Sequence, residues 1–424
     1  LRKSSNRMFY SSIAMYLIKW KGAYSMTQRF PIFILLIAIL LLTAGCWNRR
    51  ELNELAITLA MGIDRTIDGK YLVTAQVVIP GEITEKARGS SSVIIFQAKG
   101  ATVLEAIRKM TKEAPRKIYP SHLRILVIGE ALAKEGIGKP LDVLSRDWEV
   151  RSDFYIAVAK GRKAEDILKV QTSLEKIPAN QLFNTLEVSA KAWAATRYVT
   201  LDELIANMVS EGKEPVLTGI HVKLEGDKET SFSKQNIEAS NPPARLYFQE
   251  LAVFDGDKLI GWLNELQSKT YTIVTNNEFG SVGNVSCPKH GKFVYQITNS
   301  ETKVKGKIRH GNPEIDVAIK VEGKVADVEC DINLKSSKSI VKLEKIYEKE
   351  TKKMIQQAIK QVQENNKVDI FGFGEAIHRA DPKAWEKLKK DWDKKFQDLK
   401  VNITIDGKIS GIGTVSNSFL EKIN

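Results

Sequence analysis

The chain has 424 residues, with 64 Lys and Arg against 51 Asp and Glu, giving a formal charge of +13. Residues 1–45 hold six Lys or Arg and no acid, so from Cys46 onward the balance is 58 basic to 51 acidic, or +7. No helix or strand pattern gathers Arg with aromatic residues, which argues against a nucleic-acid surface, whereas a modest positive excess on a chain this size fits an anionic bilayer as well as it fits no particular partner.

The first organised stretch is "RFPIFILLIAILLLTAGCWNRRELNELA", residues 29–56. Its apolar run from Phe30 to Leu42 falls short of the ~20 residues that cross a hydrocarbon layer. Met26 and Arg29 precede it and Thr43-Ala44-Gly45-Cys46 ends it, the layout of a cleaved signal peptide over 26–45. "LLTAGC" further resembles a bacterial lipobox, with Thr43 where most carry Leu. Cleavage between Gly45 and Cys46 is expected, with a diacylglyceryl group on the Cys46 sulfur; a core helix that happens to end in Cys is the plainer alternative. Residues 1–25 lie upstream of this leader and read as an extension outside the folded protein.

From Cys46 on there are 379 residues, more than one core usually serves, so two or three domains are expected. Residues 46–210 form an N-terminal α/β region. Within it "LAITLAMGID" and "GKYLVTAQVVIP" read as a hairpin turning at Asp68-Gly69. "ATVLEAIRKMTKE" has helical spacing, "RILVIGEALAKEGI" is a buried strand running into a helix closed at Gly136, and "DFYIAVAKG" is another strand.

Gly212 and Pro215 mark a linker, opening a second region over 211–424. "DKETSFSKQNIEASNPPA", from Asp227 to Ala244, is polar and predicts an exposed loop with no packed element. "ELAVFDGDKLIGWLN" predicts two strands about Asp255-Gly256 and a helix start. Residues 285–424 form a sheet plus long-helix unit. Val304, Ile308, Ile315, Val317, Ile319 and Val321 alternate with charge, as in long antiparallel strands with one wet face. A helix follows from Ile340 to Glu364, with Glu348 placed to pair with Lys352. Asp381-Pro382 caps another, whose Trp385, Leu388, Trp392 and Phe396 share a packing face. The fold class is α+β, multidomain, with mixed and antiparallel sheets flanked by helices.

Chemistry is sparse. His122, His221, His290, His310 and His378 are scattered without metal-ligand spacing, and no phosphate loop, nucleophile elbow or dinucleotide fingerprint occurs. "FGFGEAIH" has two glycines but bridges two helices. No catalytic residue, metal or cofactor is expected. Cys287 and Cys330 are an even pair that either forms one disulfide or stays as two buried thiols.

Five stretches, "GCWNRRELNELAITLAMGID", "HLRILVIGEALAKEGI", "RDWEVRSDFYIAVAKG", "LAVFDGDKLIGWLNE" and "VDIFGFGEAIHRADPKAWEKLKKDWDKKF", together resemble the Ger(x)C family, the C subunit of spore germinant receptors. The resemblance runs from Cys46 to about Thr414; Asn48 stands where the family usually has Asp. It implies a non-catalytic lipoprotein on the outer face of the spore inner membrane, held by acylated Cys46 and assembled with A-type and B-type integral membrane subunits. It also implies three domains, each a sheet flanked by helices, and supports a paired role for Cys287 and Cys330. An anchored wall hydrolase and a small-molecule-binding lipoprotein are the alternatives.

Overall fold

The computed structural model describes residues 51–83, 91–225, 235–278, 280–287, 290–330 and 332–413, with residues 31, 33 and 232 as isolated positions. The leader and upstream extension, including Gly45 and Cys46, lie outside the described residues. Residues Leu1–Leu55 and Ala56–Asn424 form separate units, and the second carries the fold. Among the described residues no helix is long and apolar enough to cross a membrane.

The first sheet begins with β1 (Leu55–Arg65), β2 (Tyr71–Val78), β3 (Val93–Gly100), β4 (Lys117–Tyr119), β5 (Ile125–Gly129) and β6 (Tyr155–Ala159). It continues with β7 (Val216–Leu224), β8 (Ala244–Asp255) and β9 (Lys258–Leu263). The order across it is β3-β2-β1-β5-β6-β7-β8-β9, with β4 beside β1. β1, β5, β6 and β7 run parallel, and antiparallel hairpins extend both flanks. β5 and β6 are buried at every position, which explains their unbroken apolar runs: helices cover both faces of a parallel centre. Helices Val103–Lys109, Glu130–Glu135, Gly138–Arg146 and Leu201–Met208 pack on one face, and Ala164–Lys169 with Pro178–Ala192 on the other.

The local signals hold where turn chemistry sets the backbone. Gly69 has φ 73°, and Thr66 receives and donates across the turn to Lys70, closing the β1–β2 hairpin. Thr102 caps the first helix by accepting the Glu105 N–H at 3.1 Å, and Gly136 ends the second with φ 137°.

The second sheet has β10 (Val282–Ser286), β11 (Lys292–Arg309), β12 (Asn312–Val328) and β13 (Lys400–Gly411), in that order. β11 and β12 form a long antiparallel hairpin, whereas β13 joins β12 in parallel. Alternate residues of β12, from Ile315 to Val325, are buried and their neighbours wet. The long helix covers the buried side: Ser337–Asn365, 29 residues and about 43 Å, with Leu343, Tyr347, Ile355, Ala358 and Val362 inside. Shorter helices Phe373–Ala380, Pro382–Leu388 and Trp392–Gln397 finish that layer. One apolar cluster joins it to Leu251, Val253, Leu263 and Tyr271, so the second core continues into the β7–β9 flank of the first sheet.

Three expectations change. The break at 210/211 falls inside the first sheet, because β7, β8 and β9 complete it beyond residue 210. The polar stretch before Ala244 contains a helical turn, Gln235–Glu238. Asn236 is buried there and staples the turn, donating to the carbonyls of Gln171 (2.6 Å) and Ala244 (3.1 Å) and accepting the Ala244 N–H (2.7 Å). Glu348 pairs with Lys345 at 2.7 Å, and not with Lys352, because its other oxygen turns back to accept the Gly407 N–H of β13.

Candidate functional site

A densely bonded polar centre lies where the loop after the long helix meets the segment that leads into β7. "VDIFGFGEA" follows the long helix as a tight loop around Asp369, whose side chain is buried. One carboxylate oxygen accepts the N–H groups of Phe371 and Gly372, each at 3.0 Å; the other accepts those of Gly374 (2.7 Å) and the Trp392 indole (3.0 Å). Burial nonetheless lifts this carboxyl to about 6, the four donors pulling the other way. Its acceptor directions are taken by the protein itself.

Around that centre the fit is close. Gly372 sits at φ 75°, which side chains resist. A Cβ on Gly374 would lie 2.7–2.8 Å from Trp385, Gly212 and Trp392. Trp385 and Trp392 meet edge to face at 5.2 Å and are buried, so the aromatic stripe is packing, as its spacing predicts.

The segment expected as a linker is clamped to this knot. Glu214 N–H donates to the Asp369 carbonyl at 2.8 Å and Glu375 N–H to the Gly212 carbonyl at 3.4 Å. Ser210 Oγ reaches Glu375 at 2.9 Å and Lys389 pairs with Glu211 at 3.2 Å. Burial raises the Glu214 carboxyl to about 7 against a single N–H from Gly256. Nothing in the sequence marked Asp369 or Glu214, because a buried carboxylate with backbone partners has no motif.

Two other polar clusters have the residue types of chemistry. At a bulge in β8, Glu250 takes the left-handed φ of 63° and binds Lys160, while His221 Nε2 lies 3.4 Å from the same carboxylate and 3.2 Å from the Gln249 carbonyl. Burial holds the His221 imidazole below its usual value, and Lys160 also lies over the Trp262 ring at 4.8 Å. In β1, Asp64 accepts the N–H groups of Ala164 (2.7 Å) and Glu165 (3.0 Å), capping a helix 100 residues away, and burial raises it to about 6. Each set of groups satisfies its own members. Among the described residues no group of three or more His, Cys, Asp or Glu is placed to hold a metal.

Cys287 and Cys330 come together, with Cα atoms 6.2 Å apart, inside the disulfide range, beside the β10–β11 turn where Cys287 N–H meets the Gly291 carbonyl. Gly45 and Cys46, the other site residues drawn from the sequence, lie outside the described region.

With this architecture in hand, comparison with known proteins is decisive. Residues 48–222 match the family model of the spore germination protein N-terminal domain, and residues 249–413 that of the spore germination B3/GerAC-like C-terminal domain. The chain belongs to the Ger(x)C family of spore germination proteins. Among Ger(x)C relatives, spore germination protein KC of Bacillus subtilis strain 168 is 32% identical over 401 residues, covering 92% of this chain and 98% of that protein. Spore germination protein B3 of the same organism is 24% identical over 386 residues, at 90% and 98% coverage. The crystal structure of the GerBC protein shares the fold with a TM-score of 0.50 at 20% identity, spanning 83% of this chain and 98% of that one. The family thus accounts for both sheets, and the knot at Asp369 lies inside its C-terminal model.

Proposed function

We propose that this chain is the lipid-anchored C subunit of a spore nutrient germinant receptor, a non-catalytic part needed for receptor assembly. The reading places it on the outer face of the spore inner membrane, held by a diacylglyceryl group on Cys46, beside the A-type and B-type integral membrane subunits. The observation that carries it is the order of signals in the chain: the lipobox "LLTAGC" ends at Cys46 and the first spore-germination domain match begins at residue 48.

Physical chemistry supports the anchor. Each buried CH₂ is worth about 0.8 kcal/mol, so one acyl chain holds a protein marginally and the two of a diacylglyceryl group hold it stably. Tethering raises the effective concentration of the folded unit beside membrane partners, which is what assembly of a receptor asks of it. The non-catalytic reading is supported by the buried acids, Asp64 and Asp369, whose oxygens are committed to backbone or indole donors. The exported location also favours an oxidised Cys287–Cys330 pair.

The test is purification of the native chain from detergent-solubilised spore membranes. Mass spectrometry is expected to find a product starting at Cys46 with a diacylglyceryl adduct, two integral membrane subunits alongside, and no thiol reactive to maleimide before reduction. An unmodified Cys46 still joined to Gly45, or a chain recovered without membrane subunits, would refute the proposal.

A further inference from the structure

Where the parallel strands β1, β5 and β6 begin, residues of the sheet and of helix Pro178–Ala192 line a cleft of about 450 Å³. Its size is that of a small-molecule site. Ile57 and Leu59 of β1 and the Phe183 ring of the helix, all half-buried, give it an apolar side. Arg124, His122 and Asn180 give it a polar one. Open α/β sheets usually bind ligands at the other rim, the carboxyl ends of their strands. Here the protein's own Asp64 carboxylate occupies the helix start at that end, on the Ala164 and Glu165 N–H groups.

Arg124 is held in place on both sides of its Cα. Its backbone is locked in the sheet, the N–H donating to the Leu59 carbonyl at 2.8 Å and the carbonyl accepting the Tyr155 N–H at 2.9 Å. Its guanidinium lies over the Phe183 ring at 5.0 Å, and that ring stacks on Tyr155 at 4.3 Å, which stacks in turn on Tyr198 at 4.9 Å. A cation seated on such an aromatic column loses little further rotamer freedom when it binds. The other charges of the cleft are paired with each other: Arg151 meets Asp153 through two bonds, at 3.2 and 2.7 Å. Asp202 lines the neighbouring hollow, which Arg151 and Asp153 also line, and not this one. Among the described residues Arg124 has no carboxylate partner, and the Asn180 amide has no hydrogen-bond partner.

We propose that this cleft binds a small organic carboxylate, its acid group on the Arg124 guanidinium with the Asn180 amide beside it, and its hydrocarbon part against Ile57, Leu59 and Phe183. The planar guanidinium fork matches the two oxygens of a carboxylate. Bare phosphate has no apolar part to set against the other side, so the cleft favours an acid that carries one. Binding there needs neither the anchor at Cys46 nor the membrane subunits.

The test uses the purified full chain at neutral pH with benzoate as the probe, read by saturation-transfer NMR and calorimetry. Benzoate should bind with a Kd of about 1 mM, the range of a fragment in an open cleft. Benzamide, the same ring without the charge, should bind roughly tenfold more weakly. Arg124→Gln should weaken benzoate by roughly tenfold and Asn180→Ala by roughly threefold, both keeping the circular dichroism of the parent. Arg146→Gln, whose guanidinium pairs with Asp142 outside the cleft, should leave the affinity unchanged. Failure of benzoate to bind the folded chain would overturn the proposal, as would equal binding to a folded Arg124→Gln. Inorganic phosphate that binds as tightly as benzoate would overturn it too, by showing that the apolar side contributes nothing.

Discussion

Asp369 is one residue on which the contact between the loop after the long helix and the segment leading into β7 depends. Asparagine in its place has one acceptor oxygen for four donors and turns an NH₂ toward N–H groups that need an acceptor. Asp369→Asn is expected to destabilise the protein by about 3 kcal/mol at pH 7.5, read from the shift of a urea midpoint. A shift under ~0.5 kcal/mol would show that the knot is dispensable. Asp64 makes a pH-dependent claim. Its carboxyl rises from 3.8 to about 6 on folding, so between those values the folded chain holds a proton the unfolded chain has released. The stabilisation is complete below 3.8 and is lost as pH rises through 6. Relative to Asp64→Asn, the wild-type protein should therefore gain about 2 kcal/mol between pH 7.5 and pH 4. A difference that stays flat across that window would refute it. Neither residue was legible in the sequence, where an Asp beside apolar residues looks like any other. The cues were indirect: Gly129, on which a Cβ would collide with Asp64, and Gly374, wedged between two Trp rings, hold the space these carboxylates need.

At the scale of single elements the sequence was far more explicit, because periodicity and turn chemistry are local. The long helix, the Asp381 cap, which accepts the Ala384 N–H at 2.9 Å, and the hairpins at Gly69 and Gly256 all follow from residues within a few positions of one another. The helical turn at Asn236 escaped because a polar side chain holds it, and no hydrophobic pattern records that. Pairing was equally hidden: alternation in "VNITIDGKISG" says strand, but not that β13 would lie parallel to β12 as the last strand of the sheet. That outer edge is managed by the helix above it, where Glu344 accepts the Ile409 N–H at 2.9 Å and Glu348 the Gly407 N–H at 3.3 Å. Open strand edges recruit other strands. The double variant Glu344→Ala, Glu348→Ala is expected to self-associate with rising concentration, as seen by light scattering, whereas the parent stays at constant mass. Equal scattering from both would mean the carboxylates do not guard the edge.

For the whole molecule, alternating strand and helix patterns gave the α+β class, and the GerBC crystal structure shares that fold over 83% of this chain. What local patterns could not give was strand order across the first sheet, since β7, β8 and β9 add to β6 from beyond a Gly–Pro break that reads as a boundary. Leu217, Ala252, Phe254 and Leu259 from that flank belong to the same buried cluster as Met61, Leu126 and Ile156. A fragment ending at residue 210 should therefore leave β6 unpaired on one side and fail to fold, giving collapsed amide dispersion by NMR, whereas the whole chain from Cys46 gives a dispersed spectrum. A well-dispersed spectrum from that fragment would show that the first region stands alone.

The clamp at Asp369 has a mechanical consequence. A chain joined by slack rope lets each part turn without telling the other, but here the segment leading into β7 is bolted at Gly212 and Glu214 to the loop that ends the long helix. The loop that finishes the layer over the second sheet is thus tied by backbone hydrogen bonds to the approach to β7, and a displacement of one is expected to carry the other with it.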